Sequence, residues 1–156
     1  MRQAFRIVRE SYAATAFTGE GAALYGGRWN SPGARVVYTS ASASLAALET
    51  LVHLNPAMRF KYVIFSIEFD ERLVEKLPPA SLPASLPAGW RDEPPPPATK
   101  RLGDFWVKQA RSAVLELPSV IIPGESNYLL NVSHPDFKSM TIGNAGAFFF
   151  DSRLLP

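Results

Sequence analysis

The fold of this chain depends most on residues Gly19 to Leu54, whose sequence is GEGAALYGGRWNSPGARVVYTSASASLAALETLVHL. Two adjacent glycines, Gly26 and Gly27, stand directly before Arg28. A backbone without side chains can pass close to a ligand there, or adopt a positive φ that other residues avoid. The pattern therefore predicts a loop that can hold an anion beside an arginine.

A chain reversal and a strand follow this loop. Pro32 and Gly33 suit the two central positions of a type II turn, because proline fixes φ and glycine supplies a positive φ. Residues 35–39 are mostly β-branched or aromatic, which predicts a short strand. Val36 and Tyr38 would lie on one face of this strand and the valine between them on the other.

A helix is predicted directly after this strand. Three serines are candidate N-caps: Ser40, Ser42 and Ser44. The helix should run from about Leu45 to Asn55, where Pro56 would end it. Its apolar stripe would consist of Leu45, Leu48 and Val52.

One acidic residue falls on the apolar side of this helix. Glu49 projects only about 40° from Leu45 when residues are spaced by 100° around the axis. An ionised carboxylate removed from water costs several kcal/mol unless it is paired or hydrogen-bonded. Two interpretations remain open at this point. Glu49 is either the structural ion-pair partner of Arg28 or Arg35, or a catalytic carboxylate in a cleft.

Composition limits the class of protein. A length of 156 residues with 47% apolar residues suits one domain, so residues 1–156 are expected to form a single domain. No apolar run approaches a membrane span, and the first six residues do not have the apolar core of a signal peptide, so the chain is expected in the cytoplasm without membrane association. With no cysteine and two histidines, a metal site is not expected. The net charge of +2 without a basic run argues against direct nucleic-acid binding.

The remaining patterns predict a sheet with a few helices packed on it. Further strands are expected at residues 5–9, 61–69 and 147–151, and a second helix at residues 102–112. Residues 77–99 are rich in proline and predict a surface loop, because proline cannot join a ladder or a helix interior. Residues 127–131 and 134–137 are interpreted as a polar connection. A lone serine, Ser119, interrupts an apolar run and should be buried or at the edge of a cleft.

The residues that carry chemistry do not form a hydrolase triad or a P-loop. What remains is Glu49, the loop around Arg28 and the aromatic Tyr38. A carboxylate beside an aromatic ring and an arginine suits cleavage of an N-glycosidic bond, whose transition state has oxocarbenium character and is stabilised by charge.

Several motifs spread along the chain resemble the RES-domain toxins of RES–Xre toxin–antitoxin pairs. The motifs that carry this resemblance are Gly19-Glu20-Gly21-Ala22, Gly26-Gly27-Arg28-Trp29-Asn30-Ser31, Val37-Tyr38-Thr39-Ser40, Ala46-Ala47-Leu48-Glu49, Leu117-Pro118-Ser119, Asn127-Tyr128-Leu129-Leu130-Asn131, His134-Pro135 and Phe150-Asp151-Ser152-Arg153-Leu154-Leu155. The arginine, glutamate and serine of the family name correspond to Arg28, Glu49 and Ser119, with Ser126 and Ser133 as alternatives for the serine.

The resemblance implies a fold and an activity. The fold would be α+β, with a split, mostly antiparallel sheet like that of ADP-ribosyltransferase toxins and flanking helices around an NAD+ cleft. The family consumes NAD+ as a substrate, by hydrolysis or phosphorolysis of the nicotinamide–ribose bond. An Xre-type antitoxin would cover the active site, and the toxin would form a homodimer within a larger complex.

Roles for individual residues also follow from the resemblance. Arg28 and Arg6 would hold the pyrophosphate, and Tyr38 would stack at the nicotinamide end. Glu49 would bind the ribose and stabilise its oxocarbenium character, and Ser119 would make a polar contact to the cofactor. Two other functions are considered: a mono-ADP-ribosyltransferase that modifies a protein, and a nucleotide-binding module without catalytic activity.

Overall fold

The computed structural model describes residues 1–55, 59–77 and 86–155. The strands are β1 (Arg2–Arg9), β2 (Val36–Ser40), β3 (Tyr62–Phe69), β4 (Val74–Lys76), β5 (Val114–Pro118), β6 (Ser126–Asn131), β7 (Thr141–Ile142) and β8 (Gly146–Phe148). The α-helices are α1 (Glu20–Tyr25), α2 (Ala43–Leu51) and α3 (Pro97–Gln109). Short 3-10 helices lie at Glu10–Thr15, Glu71–Leu73, Pro135–Ser139 and Ser152–Leu154.

The strands of the described residues form one sheet in the order β4-β5-β6-β2-β1-β3-β7, and β8 also pairs with β3. All neighbours are antiparallel except β4 and β5. The expected α+β class with a mostly antiparallel sheet is confirmed. None of the described helices is both long and apolar enough to cross a bilayer.

The sheet is buried on both faces because successive residues of its strands enter different core clusters. Val37 of β2 and Leu130 of β6 pack into one cluster, whereas Val36 and Leu129 pack into another. The second cluster includes Trp29 of the glycine–arginine loop and Trp106 of α3, so the loop and α3 cover this face. This is the alternation that the sequence predicted for β2.

Local signals in the central stretch form the predicted structures. Gly33 has a φ of 105°, and the Ala34 N–H donates to the Ser31 carbonyl across the turn. The Ser42 hydroxyl caps α2 by accepting from the Leu45 N–H at 3.1 Å. These features arise within a few residues, so the sequence alone is enough to predict them.

The predicted apolar stripe of α2 is partly wrong. The helix ends at Leu51, and Val52, its C-cap residue, is 59% exposed. The buried helix residues are Leu45 and Ala46, and Ala46 packs against β1. Because the helix ends at Leu51, Val52 lies beyond the part of α2 that packs on the sheet. Pro56, the predicted helix end, lies outside the described residues.

The proline-rich loop is shorter than predicted. Residues 78–85 of it lie outside the described residues, but α3 already begins at Pro97. Proline is well tolerated at a first helical position, where its missing N–H is not needed. The described part is also more than a surface excursion, because Leu86 and Trp90 pack against the core cluster that contains Trp29.

The interpretation of residues 127–131 as a polar connection is wrong, since they form most of β6, between β5 and β2. Tyr128, Leu129 and Leu130 are buried. The two asparagines that flank them gave the segment its polar character. Asn127 and Asn131 instead lie within the sheet and use their side chains in tertiary hydrogen bonds.

Candidate active site

The sheet splits between β1 and β2. These two neighbours share a single register pair, Phe5 with Ser40, whereas β1 and β3 are paired along their whole length. A cavity of about 200 Å³ opens where they diverge, lined by Arg6 of β1, by Val36 and Tyr38 of β2, and by residues from the segment 15–26. The split therefore brings two sequence-predicted site residues, Arg6 and Tyr38, to one cavity.

Arg6 is a buried cation with unused hydrogen-bonding capacity. Its Nη1 donates to the Tyr38 carbonyl at 2.8 Å, and its Nε is buried with no partner among the described residues. Burial lowers the pKa of Arg6 to about 10, because the charged form loses its hydration. Arg6 stays charged at neutral pH and lines the cavity, so an anion that enters it would meet a guanidinium.

Tyr38 forms the other wall of the cavity and anchors the glycine–arginine loop. Its hydroxyl donates to Asn30 Oδ1 at 2.7 Å and accepts from the Trp29 N–H at 3.1 Å. Burial raises the pKa of Tyr38 above its ordinary value, so the phenol remains protonated. Gly27 is required beside it, since an added Cβ would lie 2.6 Å from the Tyr38 hydroxyl oxygen.

Tyr38→Phe should lower the free energy of unfolding by about 1–3 kcal/mol, the cost of leaving buried polar partners unsatisfied. The Trp29 N–H and the Asn30 side-chain oxygen would both lose their partner. Urea denaturation measures this change. Tyr25→Phe is the matched control because Tyr25 is 83% exposed, and equal losses in the two variants would contradict the anchoring role.

Arg28 is directed away from the cavity and onto the segment before α3. Its Nη1 donates to the carbonyls of Trp90 and Asp92 at 2.9 and 2.7 Å, and its Nη2 pairs with Glu93 at 2.9 Å. Arg28 is not among the residues that line the cavity. In this structure it therefore fastens segment 90–93 to the loop.

Helix α3 holds the same loop from the other side. The Thr99 hydroxyl donates to the Arg28 carbonyl, and Lys100 Nζ donates to the Gly27 carbonyl. The Ser31 N–H donates to Asp104 at 2.8 Å. Gly103 allows the close approach, because a Cβ at that position would lie 1.6 Å from the Trp29 carbonyl oxygen. The loop is thus rigidly positioned over one face of the sheet.

Glu49 is half-buried and meets neither arginine, so the ion-pair interpretation of this residue is wrong. Arg28 pairs with Glu93, and Arg35 donates to the Thr18 carbonyl. Glu49 Oε1 instead accepts from the Ser119 hydroxyl at 2.9 Å and from the Asn127 side-chain amide at 2.6 Å. The Glu49 carboxylate on the inner side of α2 is therefore hydrogen-bonded by neutral side chains. The helical spacing of the sequence did not predict these partners.

Among the three candidate serines, Ser119 is the one that contacts Glu49. It is only 1% exposed, as the sequence predicted, and its oxygen also accepts from the N–H groups of Ile121 and Ile122. Ser126 donates to Glu116, and Ser133 is exposed. The Ser119 hydroxyl thus donates its proton to the Glu49 carboxylate, and its oxygen already accepts two backbone hydrogen bonds.

Two further residues of this network, Asn127 and Ser40, were missed by sequence reasoning about the site. The Ser40 hydroxyl donates to Asn127 Oδ1 at 2.7 Å. The alternating pattern of residues 127–131 could have identified Asn127 as a site candidate, because in a strand Asn127 and Leu129 lie on the same face. Ser40 also pairs with Phe5, the neighbour of Arg6, but Glu49, Ser119 and Asn127 are not among the residues that line the cavity.

Relatives of known sequence align along almost the whole chain. A protein named Toxin Res from Yersinia enterocolitica is 38% identical over 152 residues, covering 96% of this chain and 97% of that protein. A protein named Prs ADP-ribosylating toxin from Sphingobium is 36% identical over 146 residues, covering 93% of this chain and 90% of its own.

A solved structure shares the fold. One chain of the Mycobacterium tuberculosis MbcT–MbcA toxin–antitoxin complex superposes with a TM-score of 0.73 at 15% sequence identity, over 94% of this chain and 84% of that chain. The family model described as the RES domain matches residues 3–151. Together with the relatives above, this match shows that the chain belongs to the RES domain family.

Proposed function

We propose that this chain is the toxin of a bacterial toxin–antitoxin pair and that it cleaves the nicotinamide–ribose bond of NAD+. Full-length relatives carry toxin names, and one of them is called ADP-ribosylating, a reaction that uses NAD+. The observation that carries the proposal is the arrangement at the split. Ser40, whose hydroxyl holds the Asn127 amide beside the Glu49 carboxylate, pairs across the split with Phe5, the residue before Arg6.

This arrangement suits the charges of NAD+. Arg6 lines the cavity, and its guanidinium would bind a pyrophosphate oxygen. As the bond from ribose C1′ to nicotinamide breaks, its electron pair leaves with the neutral nicotinamide and positive charge develops on the ribose. The Glu49 carboxylate would stabilise that charge electrostatically. Water, which loses a proton to the solvent, or phosphate then forms the new bond to C1′.

The size of the cavity fits only part of the dinucleotide. A volume of about 200 Å³ is below the roughly 300–1,000 Å³ of typical ligand sites. One end of NAD+ would enter beside Tyr38, and the rest would lie along the surface near segment 15–26. Arg28 would shape the loop above this site, and it would reach a phosphate only after release from segment 90–93.

Product analysis tests the proposed function directly. Purified protein incubated with NAD+ in phosphate buffer and in phosphate-free buffer should release nicotinamide. Mass spectrometry of the second product separates hydrolysis, which gives ADP-ribose, from phosphorolysis, which adds a phosphate to it. An absence of nicotinamide in both buffers would exclude NAD+ cleavage.

The name of the Sphingobium relative favours a second candidate, a mono-ADP-ribosyltransferase in which a protein side chain takes the place of water. NAD+ labelled in its ADP-ribose part and incubated with cell lysate distinguishes the two reactions. Label on a polypeptide would indicate transfer, whereas label in free ADP-ribose or its phosphate adduct, with none on a polypeptide, would indicate cleavage. A nucleotide-binding module would yield neither product.

An antitoxin partner belongs to the same proposal. The solved structure that shares this fold is a toxin–antitoxin complex. We propose that an Xre-type antitoxin covers the cavity at the split and blocks entry of NAD+. A homodimer of this chain within a larger complex is also part of the proposal.

Arg6→Ala should raise the KM for NAD+ about 10- to 100-fold, because the loss of a charge-assisted hydrogen bond costs about 1.5–3 kcal/mol. The fold should persist, since removal of a desolvated cation relieves an unfavourable burial. Steady-state kinetics of nicotinamide release measures KM. Arg9→Ala is the matched control, because Arg9 lies on the same strand and stacks on Phe60. An unchanged KM in Arg6→Ala would remove Arg6 from the site.

A further inference from the structure

We propose that Asn127, held by Ser40, is a positioning residue that fixes the Glu49 carboxylate with one oxygen anchored and the other free for the substrate. This inference rests on the function proposed above, because it assigns Glu49 the role of stabilising charge on the ribose. Asn127 and Ser40 would act through Glu49 and would not themselves touch NAD+.

The two donors converge on a single carboxylate oxygen. Asn127 Nδ2 and the Ser119 hydroxyl both donate to Glu49 Oε1, at 2.6 and 2.9 Å. Within the described residues, no hydrogen bond or ion pair reaches Oε2. Two donors on Oε1 remove the rotational freedom of the carboxylate, so Oε2 is left in a defined direction and without competition for a ribose hydroxyl.

The other hydrogen bonds of Ser119 and Asn127 orient each of them so that it donates to Glu49. The Ser119 oxygen accepts from two backbone N–H groups, both at 3.1 Å, so its one proton is available only to Glu49. The Ser40 hydroxyl donates to Asn127 Oδ1 at 2.7 Å, which turns the amide nitrogen of Asn127 toward Glu49. Both partners of Glu49 Oε1 are thus oriented as donors, which suits an oxygen that accepts two hydrogen bonds.

The network is built on regular elements. Ser40 ends β2 and lies directly opposite Asn127 of β6 in the β2–β6 register, so the Ser40 hydroxyl and the Asn127 amide are cross-strand neighbours. Ser40 and Ser119 are only 4% and 1% exposed, which keeps water from competing for their hydrogen bonds. Two strands and the residue that follows β5 thus position one side chain of α2 before any ligand arrives.

Asn127→Ala and Ser40→Ala test the proposal through kcat and KM for nicotinamide release. We expect Asn127→Ala to lower kcat about 10- to 100-fold with KM within twofold of the parent, as for other residues that orient a functional group. Ser40→Ala should lower kcat less, because the amide remains but can rotate. Ser40→Thr, which keeps the hydroxyl, should restore activity. A rise in KM without a fall in kcat would overturn the proposal.

Ser126→Ala is the matched control for a purely structural effect. Ser126 adjoins Asn127 in β6, but its hydroxyl donates at 2.8 Å to a different carboxylate, that of Glu116. We expect it to lose stability comparably while its kcat stays at the parent value. If the kcat of all variants instead follows their thermal stability, Asn127 has only a structural role.

A structural measurement, which does not depend on catalytic activity, tests this inference separately from the proposed function. Crystal structures of the parent and of Asn127→Ala should show the Glu49 carboxylate in different positions, and an unmoved carboxylate would overturn the inference. If Glu49→Gln keeps full activity, the proposed function of Glu49 fails. If Glu49→Gln is inactive while Asn127→Ala is fully active, only the positioning role fails.

Discussion

Glu49→Gln should reduce the rate of nicotinamide release about 10²- to 10³-fold, as is typical when one electrostatic stabiliser of a transition state is removed. Glutamine has nearly the shape of glutamate, so its oxygen can still accept from Ser119 and Asn127 in place of Oε1. The group at the Oε2 position becomes a neutral NH2 that donates and cannot balance a developing positive charge. The loss should therefore appear in kcat, with the fold unchanged.

The control for Glu49→Gln is Glu68→Gln, because Glu68 is an exposed glutamate of β3. Both variants lose one negative charge, but only Glu49 is held by Ser119 and Asn127. Circular dichroism and thermal unfolding should be the same for the parent and both variants. A Glu49→Gln variant that retains more than about a tenth of the parent rate would contradict the catalytic role.

Gly103→Ala should destabilise the protein by at least about 3 kcal/mol, the upper end of the usual range for overpacked sites. The new Cβ would lie 1.6 Å from the Trp29 carbonyl oxygen and 2.7 Å from the carbonyl carbon. These are backbone atoms, so relief requires α3 and the glycine–arginine loop to separate. The loop carries the hydrogen bonds to Tyr38, and its shift should also lower activity. Urea denaturation and nicotinamide release measure the two effects.

Gly21→Ala is the stability control for Gly103→Ala. Gly21 also lies within a helix, but an added Cβ there meets nothing within 4 Å. Alanine at such a position should raise stability by about 0.4–1 kcal/mol, because it restricts the unfolded chain. Equal destabilisation of the two variants would show that the Trp29 contact is not the cause.

The sequence predicted those features that neighbouring residues determine. The turn at Pro32 and Gly33, the alternation in β2 and the Ser42 cap each depend on a few adjacent residues, and each is confirmed. The inward placement of Glu49 was likewise indicated by helical spacing. The α+β class and the mostly antiparallel sheet were expected from the family resemblance and are confirmed as well.

The partners of the site residues could not be predicted, because they come from distant parts of the chain. Glu49 meets Ser119 and Asn127, which are 70 and 78 residues away. Arg28 donates to backbone carbonyl groups of segment 90–93, and every residue has such a group, so no side-chain pattern identifies these partners. Helical spacing shows which way Glu49 points, but the sheet order decides what it meets.

Among the described residues, the strands at both edges of the sheet are very short, with three residues in β4 at one edge, and two in β7 and three in β8 at the other. An outermost strand of that length offers few unpaired N–H and C=O groups to another polypeptide. Continuous intermolecular sheet, one common means of joining two protein chains, would therefore gain few hydrogen bonds here. A second copy of this chain, or an inhibitory protein, should instead associate through side-chain surfaces, where packing and charge set the affinity.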